Sequence, residues 1–268
     1  MFRAKLSVVC ACLLAIGASI LTGCSTNPVD RTAGMSPNSL YSEAKDEMTQ
    51  GQWDKAVPLL EKLEAKAAGT PLAQQAQLDK AYAHYKSGEA AQALATLDRF
   101  VKIHPASPAM DYALYLKGII NFNGDLGLFS TITRQDLAER DQKASKESFE
   151  AFKELVTRFP DSQYSPDARQ RMSYIVSSLA QYEVHVARYY YKRSAYLAAI
   201  NRAQLAVADY RDVPVIEEAL YIIYKSYDAL GMAQLRDDAR RVLDKNFPNS
   251  EFLTKGVKQN KDPWWKVW

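Results

Sequence analysis

Two segments, GQWDKAVPLLEKL (51–63) and GEAAQALATLDRF (88–100), share one spacing of glycine and apolar residues. In each, small or apolar residues follow the glycine at offsets of 2, 5, 9 and 12. A third segment, GMAQLRDDARRVL (231–243), is a weaker copy. The pattern predicts pairs of antiparallel helices. The glycine lies in a left-handed turn between the two helices, and Ala56 and Ala93 lie where two helices cross closely.

Proline positions give the length of the repeat. Pro71 and Pro105 are 34 residues apart, as are Pro214 and Pro248, and the strings HPAS, FPDS and FPNS end three segments with helical periodicity. A proline stops one helix, and a serine two residues later can cap the next. This rhythm is similar to that of tetratricopeptide repeats.

Residues 40–250 are therefore predicted to be all-α, a tetratricopeptide-like α-solenoid of about five helix pairs. Two of the repeats are about twenty residues too long. The third carries an insertion at 123–141, and the fourth is expected to lengthen its helices instead. The approximate bounds of the five repeats are 37–70, 71–106, 107–161, 162–213 and 214–250.

The start of the chain has the pattern of a bacterial lipoprotein signal. Arg3 and Lys5 precede an uncharged stretch (6–21) that is shorter than the ~20 residues of a spanning helix, and LTGC (21–24) follows. These four residues resemble a lipobox, which implies an S-diacylglycerol and an N-acyl chain on Cys24. A plain secretory signal with a chance cysteine, or a retained membrane anchor, are the alternatives.

In this interpretation residues 1–23 are the cleaved signal peptide, and residues 24–39 form a flexible tether rich in Pro, Gly, Ser and Thr. Ser25 follows the cysteine where many lipoproteins of Gram-negative inner membranes have aspartate. By this resemblance the protein is expected at the outer membrane, anchored by lipid on its periplasmic face.

Composition and motifs argue against several classes of function. The formal charge of +3 gives no basic footprint for nucleic acid. Residues 25–268 contain no cysteine, and the three histidines show no metal-ligand spacing, so no metal and no other cofactor is expected. No phosphate-binding loop, HExxH or nucleophile elbow occurs, which predicts a protein that is not an enzyme. A lipid-anchored hydrolase acting on cell wall is the rival from another class.

The first helix of each repeat is expected to line a concave surface, as in other solenoids. Tyrosine suits the reading of an extended peptide, because its flat apolar ring carries a hydroxyl that can meet backbone carbonyls. Lys45 is expected on the same inner face. The alternative is that half of the tyrosines are core residues between repeats. The predicted peptide groove comprises Tyr41, Leu78, Tyr82, Tyr85 and Tyr112.

Lipobox, tether and five repeats with an insertion in the third together resemble the BamD family. The strings that carry this resemblance are NSLYSEAKDEMTQGQWDKAV (38–57), DYALYLKGIINF (111–122), FPDSQYSPDA (159–168) and VARYYYKRSAYLAAINRAQ (186–204). The resemblance implies a subunit of the β-barrel assembly machinery of the outer membrane. Such a subunit would bind BamA and accessory Bam lipoproteins and receive unfolded outer-membrane proteins through their C-terminal signals.

The family's Asn-Arg pair matches Asn201 and Arg202, which implies that Arg202 forms an ion pair with BamA. The alternative is that Arg202 pairs only with an acid of its own helix hairpin. A different function also stays open, that of another periplasmic tetratricopeptide lipoprotein that scaffolds peptidoglycan or other envelope enzymes. The C-terminal tail (251–268) carries Trp264, Trp265 and Trp268, which are expected to fold back, contact a partner or touch the membrane interface.

Overall fold

The computed structural model describes residues 32–125 and 142–257. Several sequence predictions lie outside the described residues: the signal peptide, the lipidated Cys24, most of the insertion at 123–141, and the tryptophans Trp264, Trp265 and Trp268.

Within those two ranges the chain forms eleven helices and no strand. They are α1 (Pro37–Thr49), α2 (Trp53–Lys66), α3 (Pro71–Lys86), α4 (Ala90–Ile103), α5 (Met110–Asp125), α6 (Gln142–Arg158), α7 (Ser165–Lys192), α8 (Tyr196–Asp209), α9 (Ile216–Ala229), α10 (Ala233–Asn246) and the short α11 (Phe252–Lys255).

The helices form five successive pairs, and each of the first nine helices packs against the next one along the chain, while the short α11 packs against α9. First helices of neighbouring pairs also touch, as α3 touches α5 and α7 touches α9. Buried apolar residues form four clusters spread along the stack instead of one central core. This is the arrangement of an α-solenoid, in which each repeat is stabilised by its neighbours. The predicted fold class is confirmed.

The repeat spacing works as predicted at the turns and at the helix crossings. Gly51, Gly88 and Gly231 all have a positive φ, of 74°, 84° and 70°, a conformation that glycine adopts without a steric penalty. Ala56 and Ala93 are completely buried, so a larger side chain at either position would push two helices apart.

The fourth pair uses the same turn without a glycine. Ser194 has φ of 60° and is the one non-glycine residue with positive φ in the described ranges. The spacing of the repeat is nevertheless kept, because Ala199 and Ala203 follow Ser194 at offsets 5 and 9 and are completely buried. The fourth repeat thus has the same spacing of small residues as the first two, with serine in place of the turn glycine.

Replacing Ser194 with glycine is expected to stabilise the protein by about 0.5–1 kcal/mol, because a side chain in the left-handed region costs free energy that glycine does not. Urea unfolding followed by circular dichroism measures the change. The same substitution at Ser177, inside α7, should instead destabilise by about 0.5–1 kcal/mol. Equal effects at the two serines would contradict this account of the turn.

In the third pair, helices α5 and α6 approach closely at Gly118. A Cβ built on Gly118 would lie 2.4 Å from the ring of Phe152, which is completely buried. The buried hydroxyl of Ser148 also donates a hydrogen bond to the Gly118 carbonyl, at 2.8 Å. The absence of a side chain at residue 118 therefore sets the distance between the two helices.

The extra length of the fourth pair is found in one helix. Helix α7 has 28 residues, whereas α8 has 14, as many as α2 and α4. The expectation of longer helices is correct for α7 and wrong for α8.

The serines of the HPAS and FPDS strings tie one first helix to the next. The hydroxyls of Ser107 and Ser162 donate to Gln74 of α3 and to Asp111 of α5, at 2.9 and 2.6 Å. Each hydroxyl also accepts a hydrogen bond from the backbone N–H two residues later, at 3.4 and 3.3 Å. Both of these N–H groups lie just before the first residue of the next helix. The two serines order the connection between repeats rather than capping the helix itself.

The described end of the predicted tether is attached to the first helix pair. Lys62 donates to the hydroxyl of Thr32 at 2.6 Å, and Lys66 donates to the carbonyls of Ala33 and Met35 at 3.0 and 2.9 Å. Helix α1 then begins at Pro37, within the predicted tether. Of the helices in the described ranges, none is both long and apolar enough to cross a membrane.

Candidate peptide-binding face

The first helices of the first three pairs, together with the residue before α7, bring a row of aromatic side chains together. Helical spacing places Tyr112 and Tyr115 on one side of α5, three residues apart, and Tyr82 and Tyr85 likewise on α3. The residue just before α7 adds Tyr164. We call this surface the aromatic face, comprising Tyr41, Tyr82, Tyr85, Tyr112, Tyr115 and Tyr164, all of which are half-buried.

Ring contacts run along the aromatic face in two groups. Tyr82 packs edge-on against Trp53, with ring centroids 5.7 Å apart, and lies 6.5 Å from Tyr85. Tyr164 stacks on Tyr115 at 4.7 Å and also contacts Tyr112 at 5.7 Å. Such contacts hold the rings in place, so the face is rigid.

Four of the five predicted groove residues lie on this face, and one does not. Tyr41, Tyr82, Tyr85 and Tyr112 are half-buried and also pack against the clusters between repeats, so they are both surface and partial core. The prediction for Leu78 is wrong. Its side chain is 1% exposed and packs inside the cluster between the second and third pairs.

The residue after Leu78 faces the aromatic side instead. Asp79 lies 3.6 Å from the ammonium of Lys45, which the sequence placed on the inner face. Burial, together with the negative charge of Asp79, raises the pKa of Tyr41 to about 12 and also raises the pKa of Tyr112. The negative charge of Asp79 is therefore felt by a tyrosine of α1 and by a tyrosine of α5.

A second acidic residue belongs to a network at the other end of the face. Asp167 accepts hydrogen bonds from the hydroxyl of Tyr115, at 2.8 Å, and from Arg171, at 2.6 Å. Burial would raise the pKa of Asp167, but the bonds from Arg171 and Tyr115 outweigh it and hold this pKa below its usual value. The guanidinium of Arg171 also lies over the ring of Phe122, at 4.8 Å.

The raised pKa of Tyr41 predicts a measurable alkaline effect. A tyrosine whose folded pKa lies near 12 contributes stability below its unfolded value of 10.0, and this stability is lost as the pH rises from 10 through 12. The difference in stability between the wild type and Tyr41→Phe should therefore change over this window and stay constant below it. Urea unfolding of both proteins across that pH range measures it, and a flat difference would contradict the assignment.

The predicted partner-binding pair lies far along the stack, at α8. Asn201 is exposed. Arg202 donates to Glu183 of α7 at 3.1 Å, so it does pair with an acid of its own helix hairpin. Its side chain is still 40% exposed, whereas Glu183 is almost buried. Because a guanidinium carries five N–H donors, this contact leaves others directed to solvent.

Histidine, cysteine and acidic side chains are the candidates for a metal site. No group of three or more His, Cys, Asp or Glu side chains in the described ranges is arranged to hold a metal ion. His84 contacts Glu89 at 2.5 Å, and the ring of His104 packs against Phe100 with centroids 5.2 Å apart. These two histidines thus take part in helix-end contacts.

Comparison with known proteins agrees with this architecture. The protein-family model for the YfiO outer membrane lipoproteins matches residues 33–243. The outer membrane protein assembly factor BamD of Neisseria meningitidis serogroup A is 44% identical over 255 residues, which cover 95% of this chain and 96% of the relative. The BamD of Vibrio cholerae is 34% identical over 231 residues, covering 86% of this chain and 95% of the relative.

Among solved structures, the crystal structure of MamA protein matches with a TM-score of 0.33 and 16% identity, covering 83% of this chain and 97% of that chain. This likeness is too low to add to what the helix pairs themselves show. The sequence relatives, in contrast, match almost end to end. The chain belongs to the BamD family of outer membrane protein assembly factors.

Proposed function

We propose that this protein is a lipoprotein subunit of the β-barrel assembly complex at the outer membrane, where it helps to receive and insert unfolded outer-membrane proteins. The observation that carries this proposal is the 44% identity to a BamD assembly factor over 95% of the chain. A solenoid with a preorganised aromatic face is a suitable scaffold for holding other polypeptides.

The proposed anchor is Cys24, carrying an S-diacylglycerol and an N-acyl group, with the protein on the periplasmic face of the membrane. LTGC (21–24) supports this modification, and two or more acyl chains give stable attachment where one does not. Mass spectrometry of the purified protein tests it. The intact mass should match lipidated residues 24–268, and Cys24→Ser should leave an unlipidated precursor.

The proposed contact with BamA is made by Arg202, next to the exposed Asn201, and accessory Bam lipoproteins would bind nearby. Glu183 accepts a hydrogen bond from one nitrogen of the Arg202 guanidinium. The arginine side chain is still 40% exposed, so a carboxylate of BamA can accept hydrogen bonds from two of its other N–H groups. The pair with Glu183 and the contact with BamA are therefore compatible, and Glu183 positions the arginine.

Arg202→Met should reduce co-purification with BamA from solubilised membranes by about tenfold or more, since a charge-assisted hydrogen bond is worth about 1.5–3 kcal/mol. Quantitative immunoblotting measures this. Arg241→Met is the matched control, because Arg241 is an exposed arginine of α10 that is likewise ion-paired, in its case with Asp238 of the same helix. If both variants retained BamA equally well, Arg202 would not be the docking residue.

The proposed client site is the aromatic face, which would bind the C-terminal segment of an unfolded barrel protein as an extended peptide. Tyr82→Ala with Tyr85→Ala should weaken binding of such a peptide by about tenfold, because two ring contacts of about 0.5–1.5 kcal/mol each are removed. Fluorescence anisotropy with a labelled peptide measures the affinity. Tyr189→Ala, which removes an exposed tyrosine of α7 outside the face, should leave it unchanged. Unchanged affinity in the double variant would exclude this site.

A further inference from the structure

One carboxylate on the aromatic face is buried without a full set of hydrogen bonds. Asp79 is 7% exposed. Its Oδ1 accepts from Gln75 at 3.1 Å, but its Oδ2 accepts no hydrogen bond from any residue in the described ranges. An ionised carboxylate shielded from water is costly unless donors or a cation compensate it.

The nearest compensating group is weakly held. The ammonium of Lys45 lies 3.6 Å from Oδ2, at the outer limit of hydrogen bonding, and the Lys45 side chain is 45% exposed. The same ammonium lies 6.0 Å from the centre of the Tyr41 ring. Lys45 therefore reaches over from α1 to a position where a carboxylate and an aromatic face both attract a positive charge.

The surroundings of Asp79 fit a cation better than a neutral donor. Tyr41 of α1 and Tyr112 of α5 both feel the charge of this carboxylate, which raises the pKa of each. Arg171, at the far end of the aromatic face, is already bound to Asp167. A positively charged side chain beside Asp79 would meet one unsatisfied oxygen and aromatic rings, whereas a neutral N–H would leave the buried charge uncompensated.

We propose that Asp79 binds a lysine or arginine side chain of the extended client segment, and that Lys45 occupies this position when no client is bound. The inference rests on the proposed client-binding function of the aromatic face and names the chemistry that this face selects. Lys45 acts as an internal competitor, so the two residues have opposite effects on affinity.

The experiment measures the binding of two labelled twelve-residue peptides to the full protein in detergent. Both are taken from the C-terminal strand of a barrel protein and are identical except that one carries arginine where the other carries glutamine. The wild type should prefer the arginine peptide by about tenfold, as expected for one hydrogen-bonded ion pair. Asp79→Asn should remove this preference, and Lys45→Met should strengthen binding of the arginine peptide severalfold.

Glu43→Gln is the matched control for net charge, since Glu43 is an exposed carboxylate of the same helix as Lys45, and it should change neither affinity. Equal affinity of the wild type for the two peptides, or an unchanged or weaker affinity in Lys45→Met, would overturn the inference while leaving client binding in place. Failure of the wild type to bind either peptide would overturn the proposed client site, and the inference with it. Lys45→Met keeps the test decisive if Asp79→Asn does not fold.

Discussion

Replacing Arg188 with methionine should destabilise the protein by about 3–5 kcal/mol, the cost of leaving one partner of a buried ion pair alone. Arg188 of α7 donates to both carboxylate oxygens of Glu218 in α9, at 2.5 and 2.6 Å. Glu218 is 7% exposed, so water cannot replace the lost donors. Methionine keeps most of the apolar length of arginine, which isolates the effect of the charge. Equilibrium unfolding in urea measures the loss.

Two further variants separate charge from packing at this pair. Glu218→Gln should cost less than Arg188→Met, because the arginine that remains is more exposed than the glutamate. Combining Arg188→Met with Glu218→Leu should recover most of the stability, since a buried ion pair is often matched by an apolar pair of similar volume. A loss below about 1 kcal/mol in Arg188→Met would mean that Glu218 is hydrated after all.

The second large effect is expected at Gly118, where alanine should destabilise by about 1–3 kcal/mol or more through overpacking. The new Cβ would lie 2.4 Å from the ring of Phe152, and this ring is completely buried, so it cannot swing into solvent. Helices α5 and α6 would have to separate. Thermal and urea unfolding of the variant measure this cost.

The control for Gly118 is Gly34→Ala, because a Cβ on Gly34 meets no atom within 4 Å. Where space allows, replacing a glycine inside a helix with alanine stabilises the helix by about 1 kcal/mol. A loss of stability in Gly118→Ala would therefore point to the contact with Phe152. Pairing Gly118→Ala with Phe152→Leu should restore part of the loss by removing the ring. A stabilised single variant would show that the contact between α5 and α6 is more adaptable than the distances indicate.

Local spacing predicts the elements of this fold well, because each repeat packs only on its neighbours. The glycines of three turns and the small residues at two crossings follow from one set of offsets. The fourth repeat keeps these offsets but has Ser194 where the pattern has glycine. A search that demanded glycine could not find it, whereas a search for the alanine spacing alone would have done so.

The composition of the candidate site is harder to predict than the helices. Leu78 and Asp79 are adjacent in sequence, and one residue along a helix turns a side chain by about 100°. An error of one position therefore exchanges a core residue for the acidic residue of the face. The bond from Tyr115 to Asp167 joins residues 52 positions apart, and no local pattern contains it. Spacing finds the helices, but contacts between repeats decide which side chains meet.

Lys62 and Lys66 of α2 bind Thr32 and Met35, so this end of the predicted tether is part of the folded body. If Cys24 carries the proposed lipid, eight residues (24–31) connect the bilayer to Thr32, and a fully extended chain of that length reaches roughly 26–29 Å. The start of the first helix pair would then lie no farther from the membrane surface than about 30 Å, the thickness of one bilayer hydrocarbon core. Under the proposed function, a client segment bound to this protein would therefore be held at a high effective concentration beside the membrane.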